Sequence, residues 1–267
     1  MITSSSNPKI KNFRLLQKAS ERREQGLFVL EGLKEVEKAL MSGIQIETAF
    51  HCPEIIPKKE VDEILFKSVN QPELLEVSSK VYTQIAYREN SDGLIVWAKP
   101  VFKKLDELEI RENPLILVLE SVEKPGNLGA ILRTADAAGV DAVIVCDQQT
   151  DLYNPNVVRS SIGCIFSVQT VVTSSSDAIK WLQASEIDIY CAALSASKPY
   201  SEVDFKRSAA IVLGSESTGL SEVWLEKSTQ NIIIPMHGLA DSMNVSVSTA
   251  VIVFEAVRQR GAKFEKP

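Results

Sequence analysis

Two different rhythms of apolar and polar positions divide this chain of 267 residues. In the first hundred residues the apolar runs are short and their spacing is mixed. Asn7-Pro8 reads as a helix N-cap with proline at the first helical position, and the pattern predicts a helix from there to about Arg23, broken at Gln25-Gly26. Leu27–Leu30 reads as a strand and Glu31–Met41 as a helix ended by Gly43. Ile44–Phe50 reads as a strand, followed by helices near Lys59–Lys67 and Ser78–Ala86 and a strand at Gly93–Ala98. These elements describe a small α/β unit. The stretch Lys99–Pro114 is charged and carries a proline near each end. It holds the expected domain boundary, which places residues 1–106 in one domain and 107–267 in the next.

From Leu115 the rhythm becomes regular. Leu115–Leu119, Ala142–Cys146, Val168–Val172, Ile187–Ala193, Ala209–Leu213 and Asn231–Ile234 are short apolar runs, as expected of strands buried on both faces of a parallel sheet. Helical stretches alternate with them at Leu128–Ala138, Ser176–Ala184, Leu220–Lys227 and Asn244–Arg260. The fold class is therefore α/β, with helices on both faces of a parallel sheet. On this pattern alone an ordinary Rossmann-like sheet fits equally well.

Composition excludes some classes. No apolar run approaches the length needed to span a bilayer, and the start of the chain lacks a signal-peptide pattern, so a cytoplasmic protein is expected. None of the four cysteines belongs to a CxxC pair and there are two histidines, which argues against a metal site. Cys146 and Cys191 fall in strand-like runs and are expected as buried free thiols. The net charge of −6 does not favour nucleic acid. Its distribution is uneven, however. Lys9, Lys11, Arg14, Lys18, Arg22 and Arg23 face the single acid Glu21 within the first 23 residues. Such a stretch suits a phosphate backbone and suits the solvated face of a helix equally well.

Three clusters carry the candidate chemistry. Asn127-Leu-Gly-Ala-Ile-Leu-Arg133 follows a strand. Asn127 could cap a helix starting at Leu128, but a cation such as Arg133 in the first turns opposes the helix dipole, and a phosphate or carboxylate to fork onto is one reason for it. Gly214-Ser-Glu216-Ser-Thr-Gly219 also joins a strand to a helix. It lacks the ending of a phosphate-binding loop and the glycine fingerprint of a dinucleotide site. Its glycines would let a ligand approach the backbone, and Glu216 could simply belong to a helix-capping network. Ile234-Pro-Met236 runs on to Ser242-Met-Asn244-Val-Ser246. Pro235 ends the strand and Ser242 or Asn244 caps the last helix, which explains one of the alternating polar residues but not all three.

In this order and spacing the three clusters resemble the motifs of the SpoU/TrmH family of RNA ribose 2′-O-methyltransferases, within the knotted SPOUT superfamily. The resemblance implies a deep trefoil knot in the segment carrying the second and third motifs, and a homodimer formed through the C-terminal domain, for which the apolar helix Val245–Val257 is a candidate interface. It implies S-adenosylmethionine as cofactor and RNA as partner, ribosomal RNA ahead of transfer RNA. As catalytic residues it marks Asn127, Arg133, Glu216, Ser242 and Asn244. Against the cofactor it places Leu194, Gly214, Ile234, Met236, Met243, Asn244 and Ser246. Met243 stands where the family has leucine. His237 is adjacent to the third motif, but the family uses no histidine there.

Ser4-Ser-Ser-Asn-Pro-Lys-Ile-Lys and Gly26-Leu-Phe-Val-Leu-Glu-Gly32 are similar to the ribosomal-protein-like substrate-binding domain often attached to this family. That makes Lys9, Lys11, Arg14, Arg22 and Arg23, together with Arg133, the expected RNA contacts. Alternatives are a transfer-RNA methyltransferase, a non-catalytic RNA-binding or ribosome-assembly protein on the same fold, and a nicotinamide-dependent enzyme, which the missing glycine fingerprint disfavours.

Overall fold

The computed structural model describes residues 1–195 and 197–261. The chain forms two compact units, one of residues 1–101 and 151–167, the other of 102–150 and 168 onward. The first crossing, at Val101/Phe102, falls in the charged stretch, whereas the return of residues 151–167 to the first unit has no counterpart in the hydrophobic pattern.

The first unit begins with α1 (Pro8–Leu15), capped by the Asn7 side chain accepting from the Lys9 N–H at 2.9 Å. The single helix expected here is two, because α2 (Ala19–Gln25) starts after a break at Leu16–Lys18. Arg22 stabilises the break by donating to the freed carbonyls of Leu16 and Gln17 at 2.7 and 2.8 Å. Gly26 ends α2 at φ +61°, a left-handed conformation that glycine adopts without strain. Then follow β1 (Phe28–Glu31), α3 (Leu33–Met41), β2 (Ile46–His51), α4 (Lys58–Leu65), β3 (Glu73–Glu76), α5 (Ser79–Ile85) and β4 (Leu94–Ala98). The sheet order is β1-β4-β2-β3, with β3 parallel to β2 and the other pairs antiparallel. Phe13, Phe50 and Trp97 pack edge-on or tilted at 4.8–5.2 Å in its core.

The second unit runs β5 (Leu115–Glu120), α6 (Pro125–Ala138) and β6 (Ala142–Cys146). The chain then enters the first unit as α7 (Pro155–Ser160) and α8 (Cys164–Ser167). It resumes with β7 (Thr170–Thr173), α9 (Ser175–Ala184), β8 (Asp188–Ala192), β9 (Lys198–Pro199), β10 (Ala209–Leu213), α10 (Glu222–Lys227), β11 (Gln230–Ile233) and α11 (Val245–Gln259). These strands form one seven-stranded parallel sheet in the order β7-β6-β5-β10-β8-β11-β9. β5, β6 and β10 are buried along their whole length, which is why they read as unbroken apolar runs. Successive strands step outward from β5 through β6 to β7, and the later strands fill the other side. The order therefore reverses between β5 and β10. In open α/β sheets, ligands bind beyond the carboxyl ends of the strands at such a point.

All four cysteines are buried. Burial pushes the thiols of Cys146 and Cys191 up to about 12.

Candidate active site

The carboxyl ends of β5 and β10 lead into the first and second motifs. Helix α6 starts three residues earlier than the sequence suggests, with Lys124 at the N-cap and Pro125 in the first turn. Asn127 is therefore not the cap. It lies inside the first turn with its amide free for other partners.

Its Nδ2 donates to Glu216 Oε1, and its Oδ1 accepts from Asn244 Nδ2 at 3.2 Å. Asn244 is the N-cap of α11, accepting at Oδ1 from the Ser246 N–H at 2.9 Å and the Ser246 hydroxyl at 2.6 Å. That cap fixes the amide orientation, so Asn244 Nδ2 is turned toward Asn127 and toward Glu216 Oε1, 3.1 Å away. The other oxygen of Glu216 lies 3.2 Å from Lys124 Nζ. One residue from each motif thus closes a triangle of mutually consistent hydrogen bonds. Glu216 takes no part in capping α10, whose N-cap is Ser221.

The second motif is a tight turn closed on itself. The Gly219 N–H donates to Ser215 O at 3.0 Å, and the Thr218 N–H to Ser215 Oγ at 3.1 Å. A Cβ on Gly214 would stand 2.1 Å from the Gly219 carbonyl oxygen, so the turn's own closure already demands glycine there. The start of α10 is anchored from below. Glu120, at the end of β5 and buried, accepts from the Ser221 N–H at 2.8 Å and the Ser221 hydroxyl at 2.6 Å. Ser175 Oγ lies 3.2 Å from the same carboxylate, donates to Asp147 Oδ2 at 2.5 Å and accepts from Trp224 Nε1 at 2.9 Å. Sequence reasoning missed Glu120, because a single acid at the end of an apolar strand looks like the first polar residue of a loop.

A cavity of about 570 Å³ opens beside the triangle. The ends of β8, β10 and β11 and the third motif enclose it. Leu194, Gly214, Glu216, Ile234, Met236, Ser242 and Met243 all line it. Ile232, Leu225 and Ile252 add apolar wall. Glu216 and Asp241 are its charged lining residues, and among the described residues no Lys, Arg or His borders it. Asn244 and Ser246 do not line it; they hold the triangle and the helix cap instead. Ser242 donates to Asp241 at 3.2 Å and stays outside the triangle. Arg133 lies exposed on α6, away from the cavity lining, with no hydrogen-bond or ion-pair partner among the described residues. His237 is exposed and outside the lining.

In the first unit the basic residues separate into two kinds. Lys11, Arg14, Lys18 and Arg23 are exposed. Lys9 is ion-paired with Glu73. Arg22 differs from the surface contact expected of it. It is 4% exposed, and besides the two carbonyls it donates from Nε and Nη2 to Asp151 Oδ2 at 2.8 and 2.6 Å. The guanidinium is used up inside the unit and is unavailable to RNA.

Comparison with known proteins bears on both units. Residues 7–96 match the MRM3-like substrate binding domain, and residues 114–254 match the SpoU rRNA Methylase family. The 23S rRNA (guanosine(2553)-2'-O)-methyltransferase RlmP of Bacillus subtilis is 31% identical over 256 residues, spanning 95% of this chain and 97% of that protein. An AdoMet-bound rRNA methyltransferase from Sinorhizobium meliloti has a crystal structure that matches with a TM-score of 0.89 at 31% identity, over 96% of this chain and 97% of its own. The crystal structure of an RNA 2'-O ribose methyltransferase matches with a TM-score of 0.84 at 39% identity, over 98% and 99% of the two chains. With its three motifs gathered at one sheet edge and relatives aligned over almost its whole length, the chain belongs to the SpoU rRNA Methylase family.

Proposed function

We propose that this protein transfers a methyl group from S-adenosylmethionine to a ribose 2′-hydroxyl of ribosomal RNA. The Asn127–Glu216–Asn244 triangle beside the cavity carries this reading. It brings three polar side chains from three distant segments to one partly exposed point, and the α11 cap accounts only for Asn244 Oδ1. The cavity suits the cofactor. Its volume of about 570 Å³ lies within the roughly 300–1,000 Å³ of small-molecule sites. Its apolar walls suit an adenine ring, and two carboxylates without a lining cation suit a positively charged sulfonium.

When bound, the cofactor supplies an electrophilic methyl group, and the protein supplies orientation and proton handling. Leu194, Gly214, Ile234, Met236 and Met243 hold it, and Ser246 acts through the Asn244 cap. Asn127 and Asn244 fix the Glu216 carboxylate. The ribose hydroxyl is a weak nucleophile until it loses its proton. Glu216, or a water it orients, accepts that proton, with Ser242 near the reacting end. A guanidinium offers donors and no acceptor, so the role of Arg133 is to fork onto a neighbouring phosphate and stabilise the developing oxyanion.

The first domain, residues 1–106, contributes Lys9, Lys11, Arg14 and Arg23 to the RNA backbone. The trefoil-knotted path and a homodimer through the C-terminal domain belong to the same reading. Val247 and Phe254, both 48% exposed and seven residues apart on α11, support such an interface. A cytoplasmic location fits an RNA-modifying role, and among the described residues no helix is long and apolar enough to cross a membrane.

The test is to incubate the protein with methyl-labelled S-adenosylmethionine and separate pools of unmodified ribosomal and transfer RNA, then digest to nucleosides. Label on a 2′-O-methyl nucleoside from the ribosomal pool, lost with Arg133→Ala, is the expected result. Label in neither pool, with no cofactor binding, defeats the reading.

A further inference from the structure

The first unit carries a feature that the basic helices do not explain. Tyr87, in the loop after α5, is 44% exposed, and its hydroxyl has no hydrogen-bond partner among the described residues. Its backbone is nonetheless pinned. The N–H groups of Tyr87 and Arg88 donate to the two oxygens of Glu31 at 2.6 and 3.2 Å. Over the ring, 5.6 Å from its centroid, stands the guanidinium of Arg159 on α7. Arg159 is exposed, and among the described residues its guanidinium has a single hydrogen-bond contact, Asn156 Oδ1 at 3.5 Å. The segment that delivers it is held down at its start by the buried Arg22–Asp151 pair. Tyr87 and Arg14 also wall a groove of about 180 Å³ between α1 and the end of α5, with the amides of Gln17 and Gln84 in the lining. Arg14 is exposed and has no partner among the described residues.

An exposed arginine over a tyrosine stabilises a fold by only about 0.5–1 kcal/mol, and this tyrosine contributes little to the core. The arrangement makes better sense as a receptor. It offers an aromatic face, a cation over the ring, a further arginine on the wall of a groove that Tyr87 also lines, and two amides that can meet a base edge. Of the nearby acids, Glu31 is engaged by the backbone, Glu35 by Arg88, and Asp92 accepts from the Leu33 N–H at 3.3 Å; Asp92 and Glu89 are both exposed and are the opposing charges. An unpaired nucleotide has the complementary set of a flat base, polar edges and an anionic phosphate.

We infer that this surface seats one unpaired nucleotide of the RNA, its base stacked on the Arg159–Tyr87 pair and its phosphate held by Arg14. The inference deepens the RNA-methyltransferase reading and rests on it for the identity of the ligand. It draws on residues 14, 87 and 159, so the segment 151–167 that returns to the first unit becomes part of substrate recognition.

The experiment measures binding of the full chain to a fluorescent single-stranded RNA of about ten nucleotides and to a duplex of equal length, across a salt series. Variants are Tyr87→Ala, Tyr87→Phe, Arg14→Ala and Arg159→Ala. Loss of one stacked base predicts that Tyr87→Ala weakens single-strand binding roughly 5- to 100-fold, with the salt slope and duplex binding unchanged. Tyr87→Phe should bind like the parent. Arg14→Ala should reduce the slope of log K against log salt by about 0.7, whereas Arg159→Ala should weaken single-strand binding with the slope unchanged. The inference is overturned if the parent does not bind the single strand, if Tyr87→Ala binds it like the parent, or if Tyr87→Phe loses as much as Tyr87→Ala. Methyl transfer to ribosomal RNA by the parent, run in parallel, separates the two ideas. Transfer with a silent Tyr87→Ala sinks this inference alone, whereas absence of transfer sinks the enzymatic reading and leaves the binding comparison to decide this one.

Discussion

Replacing Glu120 by alanine should unlock the second motif. The carboxylate is buried and accepts two hydrogen bonds from Ser221, from its N–H at 2.8 Å and its hydroxyl at 2.6 Å. Hydrogen bonds to a charged group contribute about 1.5–3 kcal/mol each, and water reaching the exposed Ser221 holds the loss below the top of that range. Two such bonds imply a loss of about 3–5 kcal/mol. For a unit of this size, 1 kcal/mol corresponds to roughly 2–4 °C in Tm, so the second unit should melt roughly 6–20 °C lower. Glu120→Gln should cost less, about 1–2 kcal/mol, because its carbonyl still accepts from the Ser221 N–H while the serine hydroxyl can rotate to accept from the new amide. Ser221 begins α10 directly after the Gly214–Leu220 turn, which lines the cavity. S-adenosylmethionine affinity, measured by titration calorimetry, should therefore fall with Glu120→Ala in step with the loss of stability. A Tm for Glu120→Ala within about 2 °C of the parent would refute the argument. Reduced stability with unchanged cofactor affinity would refute the link to the cavity.

Arg133→Ala should abolish methyl transfer while leaving Tm and cofactor binding unchanged, since the side chain is exposed and has no partner within the described residues; Glu216→Gln, assayed in a single turnover, should be slowed if the carboxylate takes the proton, and unchanged turnover would remove it from that role. Arg22→Ala should destabilise the first unit by about 3–5 kcal/mol, because it strands the Asp151 carboxylate and two carbonyls, and denaturant unfolding measures this. His51 is buried with both ring nitrogens unpartnered among the described residues, and desolvation lowers its pKa from 6.5. The unfolded chain then binds the proton more readily, so stability should hold above pH 6.5 and decline as the pH falls below it; His51→Leu should flatten that part of the profile in thermal melts at stepped pH.

Several elements of the fold were legible because their signal is local. A strand buried on both faces of a parallel sheet must be an apolar run bounded by polar loops, and Ala142–Cys146 and Ala209–Leu213 emerge with the boundaries their composition implies. The cap at Asn7-Pro8 and the stop at Gly26 are likewise written in two residues each. Strand β3, Glu-Leu-Leu-Glu, escaped notice because it is a short edge strand with an exposed, polar start. The break at Leu16–Lys18 escaped because a residue several positions later, Arg22, stabilises it. Arg22 itself misled. In sequence it is one cation among six, and its burial is set by Asp151, 129 positions away.

The candidate site divides in the same way. The sequence by itself determined which three segments end strands, which small and polar residues they carry and, by resemblance, the family to which they belong. It also set the cap role open to Asn244, because an asparagine before an apolar helix needs only its own neighbours to act. Only the tertiary structure decided that Asn127, Glu216 and Asn244 share hydrogen bonds, that Gly214 is required by Gly219, that Glu120 anchors Ser221 and that Arg159 covers Tyr87. The physical reason is range. Periodicity and capping depend on φ, ψ and side chains within a few residues, whereas a hydrogen bond or a stacked ring depends on atoms placed to within a fraction of an ångström by strand order and helix packing, and those follow from the whole chain burying its apolar surface at once.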